Sequence, residues 1–500
     1  MKNIKQLLLR FGLPIILLIS LGLQLSTLDT YSFWFDESYS SVITSESAGD
    51  AIDLTSQDVH PPLYYVSLFE WTEVFGRSDF AFRSMSVVFA ILSLLLLYKI
   101  LRSFFTKPVS LFALFIASIA PYTIRYAQEA RMYTLASFFI LASTLVLIRI
   151  TQSKKPPFTL WLLYGLLLAG AAYTHYFSML IIVMQGAYLL YVQRDPNKKS
   201  LAQNLIARVK HLNYVGLGAA AMVTTAVYAA WLPKLLDQFQ AVSNGFWIPG
   251  VTETSFGTIF SYATIFYEAP DRSFAAYAFT VLSIGIGLLM FRYIRTLNKQ
   301  SRTGLLVLLG GFLLPAVALF VISLVGTSYF YFRYFAQFAP LLYAGLGVVI
   351  ALMYSKPATR KYSVAAGAVL TISLVIGTSR VLMGVDKTNI EMNSTFTAVN
   401  DTFQEGDAVV AVEFFTWYNA SHYNRTGENI FYVDEGFEFG SIIPVRNQGR
   451  TIDSLDELSS FDRVFVITTP NTDAEVPEEW GTGVLESSGV DAEITRYQLR

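Results

Sequence analysis

About eleven stretches of this chain are apolar for roughly the length a helix needs to cross a bilayer, a number no soluble fold can bury. They run over residues 11–28, 82–101, 108–124, 131–150, 159–174, 176–193, 212–232, 273–293, 304–325, 334–354 and 361–380. Pro61 to Phe75 is apolar too, but short, and reads as an interfacial or re-entrant helix. Composition agrees: 53% of the 500 residues are hydrophobic and only 15% are charged, where a soluble protein carries nearer a quarter. Aromatics reach 15%, with 39 Phe and 29 Tyr, enough to furnish many membrane interfaces. The absence of cysteine excludes disulfides, a thiol nucleophile and a Cys-based metal site. A net charge of −1 with no basic stripe gives no nucleic-acid-binding surface.

Charge segregation then gives an orientation. Lys2, Lys5 and Arg10 precede the first run, which has no convincing cleavage site and reads as an uncleaved span. With the N-terminus cytoplasmic, every short inner loop is basic: Arg102 and Lys107; Arg149, Lys154 and Lys155; Lys198 to Lys210; Arg292 to Arg302; Lys356 to Lys361. An odd number of spans follows, with the C-terminal tail outside the cell membrane. From about residue 385 the composition turns soluble. The expected architecture is therefore mainly α, a polytopic transmembrane helical bundle over 1–384 and a small extracytoplasmic α/β domain over 385–500. In that domain Ser394 is placed to cap a helix carrying Phe396, Val399 and Phe403. The stretches 407–412, 429–433 and 463–467 read as short buried strands.

This topology gathers the unusual polar residues on the outer side. Asp36 and Glu37 follow the first span directly, in Tyr31-Ser-Phe-Trp-Phe-Asp-Glu-Ser-Tyr39. His60 and Tyr64 lie in Asp58-Val-His-Pro-Pro-Leu-Tyr-Tyr65, where two prolines enforce an extended entry into the interfacial helix. Arg125, Tyr126, Gln128, Glu129, Arg131 and Tyr133 fill the second outer turn. If that turn is helical, Arg125, Gln128 and Glu129 share a face. His175 and Tyr176 form the third turn, and Arg333 and Tyr334 sit in the fifth outer loop. Taken singly, each has a bland explanation: arginines snorkel from span ends, tyrosines form an aromatic belt, histidines sit at interfaces. Belt logic does not explain why several separate outer segments supply acids, arginines and histidines at one level. Desolvating carboxylates beside hydrocarbon is expensive and marks a working site. Transfer of a group carried on a lipid phosphate needs such a set. Arginines bind phosphate bidentately, and a carboxylate takes the proton of an attacking hydroxyl. No cofactor is specified, and dependence on a divalent metal is left open.

Phe35-Asp36-Glu37, His60-Pro-Pro-Leu-Tyr-Tyr65 and Tyr126-Ala-Gln-Glu-Ala-Arg-Met-Tyr133, in this order and on one side, resemble the GT-C-fold glycosyltransferases. The resemblance is to the protein O-mannosyltransferase and aminoarabinose-transferase-like branch, and covers roughly the first 200 residues. It implies an integral membrane enzyme that takes a sugar (mannose, another hexose or a pentose) from a polyprenyl-phosphate donor with inversion. The acceptor would be an extracytoplasmic glycan, lipid or protein hydroxyl, with Asp36 as base and Glu37 beside it. The rival class is a transporter or flippase of lipid-linked glycans. Transporters carry inverted repeats and midplane ionisable groups, whereas here no repeat is evident and the charges lie at outer span ends.

Overall fold

Helix boundaries follow the apolar runs, but breaks and short helices change how they relate to a membrane. The structure, a computed structural model, describes residues 2–192, 209, 212–243, 247–385, 391–434, 436, 440, 442, 446, 450–470, 472, 474–489 and 492–499. Two compact units divide the chain. One comprises Met1–Ser26, Ser86–Gln128 and Met132–Met383; the other comprises Thr27–Met85, Glu129–Arg131 and Gly384–Arg500.

The first unit is helical. Among the described residues, seven helices are long and apolar enough to span a membrane, or eight if one bent pair counts as a single span. The expected eleven spans are therefore corrected. The bent pair is α6 (Lys107–Ser118) and α7 (Pro121–Ala127), whose axes differ by 56°. Pro121 lacks the N–H that would continue the ladder, and it holds Ala120 extended at φ −74°, ψ 145°. Three other runs form shorter apolar helices, Leu9–Leu25, Phe158–Thr174 and Tyr176–Val192. The first of these ends α1 (Lys2–Leu25). Close packing depends on missing side chains. A methyl on Gly165 would run into the carbonyl oxygen of Ala220 on the helix Tyr214–Tyr228, so the two helices meet backbone to backbone. The molecule is thus a polytopic membrane protein with an extramembranous C-terminal region.

The second unit joins early and late parts of the chain. It contains α2 (Phe35–Ile43), α3 (Ala48–Ser56), α4 (Leu63–Phe75) and the first residues of α5 (Asp79–Phe104). Helix α4 is the short interfacial segment expected after Pro61 and Pro62. The C-terminal residues add a six-stranded sheet: β1 (Asp407–Ala411), β2 (Phe431–Val433), β3 (Arg450–Ile452), β4 (Arg463–Thr468), β5 (Val484–Ser488) and β6 (Glu493–Gln498). The spatial order is β3-β2-β1-β4-β6-β5, parallel from β3 to β4 and closed by the antiparallel β4–β6–β5 edge. All five residues of β1 are buried, as a central parallel strand requires. Ala408, Val410, Val464, Val466, Leu458 and Trp480 form the core on one face of the sheet. The expected helix runs from Met392 to Thr402, so Ser394 lies inside it instead of capping it, and its hydroxyl donates to the Glu391 carbonyl. The helix Phe414–Tyr423 lies against α2. Phe35 meets Phe414 and Tyr418 edge-on at 5.5 Å, and Phe33 stacks on His422 at 4.2 Å.

Candidate active site

The first turn of α2 presents two neighbouring carboxylates to different surroundings. Glu37 is buried (1% exposed) and is held by Arg83 near the start of α5, itself fully buried. Arg83 Nε donates to Oε1 at 2.7 Å and a terminal nitrogen donates to Oε2 at 2.6 Å, a bidentate fork. The Ala130 N–H donates to Oε1 as well, at 2.9 Å. The same guanidinium also donates to the carbonyls of Leu28, Tyr31 and Ser32. Glu37 therefore ties the loop before α2, the base of α5 and the turn 129–131 into one knot. Asp36 is less buried, with 15% of its side chain exposed, and its Oδ2 lies 3.9 Å from Arg131 Nε.

Arg131 is buried as well (3% exposed), contrary to a snorkelling side chain. One terminal nitrogen donates to the Asp36 carbonyl (3.2 Å) and to the Tyr65 hydroxyl (3.1 Å); the other lies 3.1 Å from His60 Nε2. His60 Nδ1 in turn lies 3.1 Å from Oδ2 of buried Asp58. Burial opposes the charge on Asp58, but the hydrogen bond from His60, with Tyr39 and Arg131 nearby, outweighs it and holds this carboxyl below the usual range. Tyr64 and Glu129 are buried in this unit, Tyr64 edge-on to Tyr65 at 5.3 Å. The expected helical face through Arg125, Gln128 and Glu129 does not form. Helix α7 stops at Ala127, and beyond its cap, Gln128, the chain turns. A side-chain acceptor, Glu37, takes the Ala130 N–H that a longer helix would have used internally.

The remaining expected site residues belong to the helical unit. Gln128 donates to the carbonyls of Leu23 and Gln24 at 3.1 Å, fastening the end of α1. Tyr126 stacks on Tyr122 at 5.6 Å and meets Tyr133 edge-on at 4.8 Å. His175 lies 5.9 Å from Tyr133 and 5.6 Å from Tyr334, ring to ring. Its Nδ1 accepts the Phe177 N–H and caps the turn Tyr176–Leu180. Tyr176 bonds Gln238 and accepts from the Trp231 indole, so its hydroxyl braces helices. Arg125 is buried over the Tyr126 ring, and Arg333 lies over Trp247 and Tyr331, 5.7 and 5.2 Å from the ring centres.

Comparison with known proteins bears on the fold. Residues 59–231 match the family model described as dolichyl-phosphate-mannose-protein mannosyltransferase. A candidate mannosyltransferase, YkcB from Bacillus subtilis (strain 168), is 23% identical over 242 residues, 46% of this chain. The matched stretch spans 31% of that relative's length. The crystal structure of apo ArnT from Cupriavidus metallidurans superposes with a TM-score of 0.65 at 12% identity, covering 96% of this chain and 97% of that one. This chain has the GT-C fold. The GT-C likeness extends to the apo oligosaccharyltransferase of Archaeoglobus fulgidus, with a TM-score of 0.51 at 10% identity over 92% of this chain and 69% of that one.

The sequence alone did not mark Arg83, Asp58 and Tyr65 as site residues. Arg83 carried a readable signal, an ionisable residue inside an apolar run. Asp58 finds its partner His60 two residues on, whereas the partner of Tyr65, Arg131, comes from a turn more than sixty residues away that no local pattern announces. Among the described residues, no group of three His, Asp or Glu side chains is placed to hold a metal ion.

Proposed function

We propose that this chain is a membrane glycosyltransferase, moving a sugar from a polyprenyl-phosphate donor to an extracytoplasmic hydroxyl, with Asp36 as general base. The observation that carries the reading is the division of labour between adjacent acids. Glu37 has both oxygens taken by Arg83 and Ala130, whereas Asp36 is partly exposed beside Arg131. A base must be able to receive a proton from substrate. The fold supports the donor class, because ArnT of the same fold has been crystallised bound to undecaprenyl phosphate (TM-score 0.62, 12% identity). It likewise favours an enzyme over a flippase.

In this mechanism the acceptor oxygen attacks the anomeric carbon and forms the new glycosidic bond. The bond from that carbon to the phosphate oxygen breaks, its electron pair leaves on the polyprenyl phosphate, and the acceptor proton passes to Asp36. Attack opposite the leaving group inverts the anomeric centre. Arg131 stands ready to pair with the phosphate as its charge grows. The sugar is mannose, another hexose or a pentose, and the acceptor a glycan, lipid or protein hydroxyl. Asp36→Asn tests the reading. Transfer from a labelled polyprenyl-phosphate sugar should fall by about 2–4 kcal/mol in transition-state stabilisation while donor binding persists. Near-parent turnover by the variant would remove Asp36 from the chemistry.

A further inference from the structure

We infer that His60 is a positioning residue, held as the neutral Nδ1–H tautomer so that its Nε2 accepts a hydrogen bond from Arg131 and aims that guanidinium at Asp36. The inference rests on the proposed role of Asp36 and Arg131 for its kinetic consequence, but on geometry alone for the tautomer.

A guanidinium has five N–H donors, no acceptor, and does not deprotonate in proteins. Its nitrogen lies 3.1 Å from His60 Nε2, so the imidazole nitrogen must be the acceptor and carries no proton. The ring proton then resides on Nδ1 and points at Asp58 Oδ2, 3.1 Å away. Asp58 is buried at 2% exposure and accepts, so the order acceptor–donor–acceptor–donor runs without a clash from Asp58 through His60 to Arg131. Such a carboxylate behind an imidazole fixes both tautomer and ring orientation.

The backbone contributes as well. Pro61 follows His60, and a residue before proline is confined to extended conformations, which limits where the ring can swing. Tyr65, from α4, meets the His60 ring edge-on at 6.4 Å and gives its hydroxyl oxygen to the other end of the guanidinium. The Asp36 carbonyl takes a third position. With these acceptors around it, Arg131 has one orientation left, with Nε toward the Asp36 carboxylate.

Protonating His60 would place an N–H on Nε2 directly against the guanidinium, donor facing donor and cation facing cation. The charged or titratable groups that face His60 are Asp58 on its own loop, Arg131 from the turn 129–131 and Tyr65 from α4. Tyr39 from α2 lies behind Asp58, and Asp36 behind Arg131. The relay therefore holds Arg131 through the unprotonated Nε2 of His60.

Two substitutions separate the nitrogens. In His60→Gln the amide oxygen occupies the place of Nε2 and can still accept from Arg131. In His60→Asn the shorter side chain reaches only the place of Nδ1. Transfer from a labelled polyprenyl-phosphate sugar is measured for both, with donor KM, kcat and the pH profile. Gln should keep turnover near that of the parent. Asn should lower kcat about tenfold or more, the size of one hydrogen bond to a charged group, with its thermal midpoint like that of Gln. Equal turnover in the two variants, or a loss that merely tracks their folded fraction, would overturn the role. Nitrogen NMR of the 500-residue chain labelled at its four histidines reads the tautomer without any turnover. A neutral Nδ1–H signal that disappears in His60→Gln supports the inference, even if the donor class proves wrong. An Nε2–H tautomer or an imidazolium at neutral pH refutes it.

Discussion

Replacing Arg83 by Met removes the cation that five hydrogen bonds hold at the base of α5: two to Glu37 and one each to the carbonyls of Leu28, Tyr31 and Ser32. The Glu37 carboxylate, 1% exposed, keeps the Ala130 N–H but loses the cation that balanced its charge. Stranding one member of a buried pair costs about 3–5 kcal/mol, chiefly because the remaining charge has no water. At ~2–4 °C per kcal/mol for a unit of 150–250 residues, the apparent melting midpoint should fall by roughly 6–20 °C. The double variant Glu37→Gln/Arg83→Met carries no stranded charge and should recover at least half of that loss, which is a clear sign of coupling. The assay is thermal unfolding of purified protein in one detergent, followed by tryptophan fluorescence, for parent, both singles and the double. If Arg83→Met melts within about 2 °C of the parent, the knot does not hold the unit. If Glu37→Gln melts like the parent yet abolishes transfer as Asp36→Asn does, Glu37 belongs to the chemistry and the division between the two acids is wrong.

Other consequences can be measured separately. Gly165→Ala should cost about 1–3 kcal/mol by forcing two helices apart at the Ala220 carbonyl, read as a lower midpoint in the same melts; an unchanged midpoint would refute that close approach. Buried His422 is held neutral chiefly by burial, below its ordinary value despite Asp79. Its contribution to stability is present above about pH 6.5 and lost as pH falls below it, since only the unfolded chain takes the proton readily. Asp58, also depressed, adds a second loss below about pH 4. A melting midpoint flat from pH 7 to 4 would contradict the His422 assignment, and the first step should vanish in His422→Gln. The charge pattern predicts that a reporter fused after Lys155 reads cytoplasmic and one fused after Arg380 extracytoplasmic; the opposite result at either junction would reverse the orientation.

Local chemistry made much of this molecule readable. Runs of apolar residues become helices because in lipid every backbone group must be satisfied within the segment. Pro61 and Pro62 announce α4, and β1, β2 and β4 are visible as short buried strands. Strands β3, β5 and β6 escaped because β3 and β5 lie at the two edges of the sheet and β5 and β6 are mostly half-exposed, so that neighbouring strands decide the conformation. The span count was overestimated because hydropathy measures how greasy a run is and not where its helix starts or bends. Ala120-Pro121 breaks one run, and three others are too short.

The carboxylate pair at Asp36 and Glu37 was legible as a place, and the family resemblance singled out Asp36 as the base, but the surroundings of each acid were not legible. Neighbouring acids on one helical turn look equivalent until their partners are known, and those partners are remote. Arg83 lies 46 positions from Glu37, and Arg131 lies 95 from Asp36. Tertiary structure alone surrounds one acid with a buried cation and leaves the other partly open. Burial and charge pairing act through space, so the residue that decides what a carboxylate does need not be anywhere near it in the sequence.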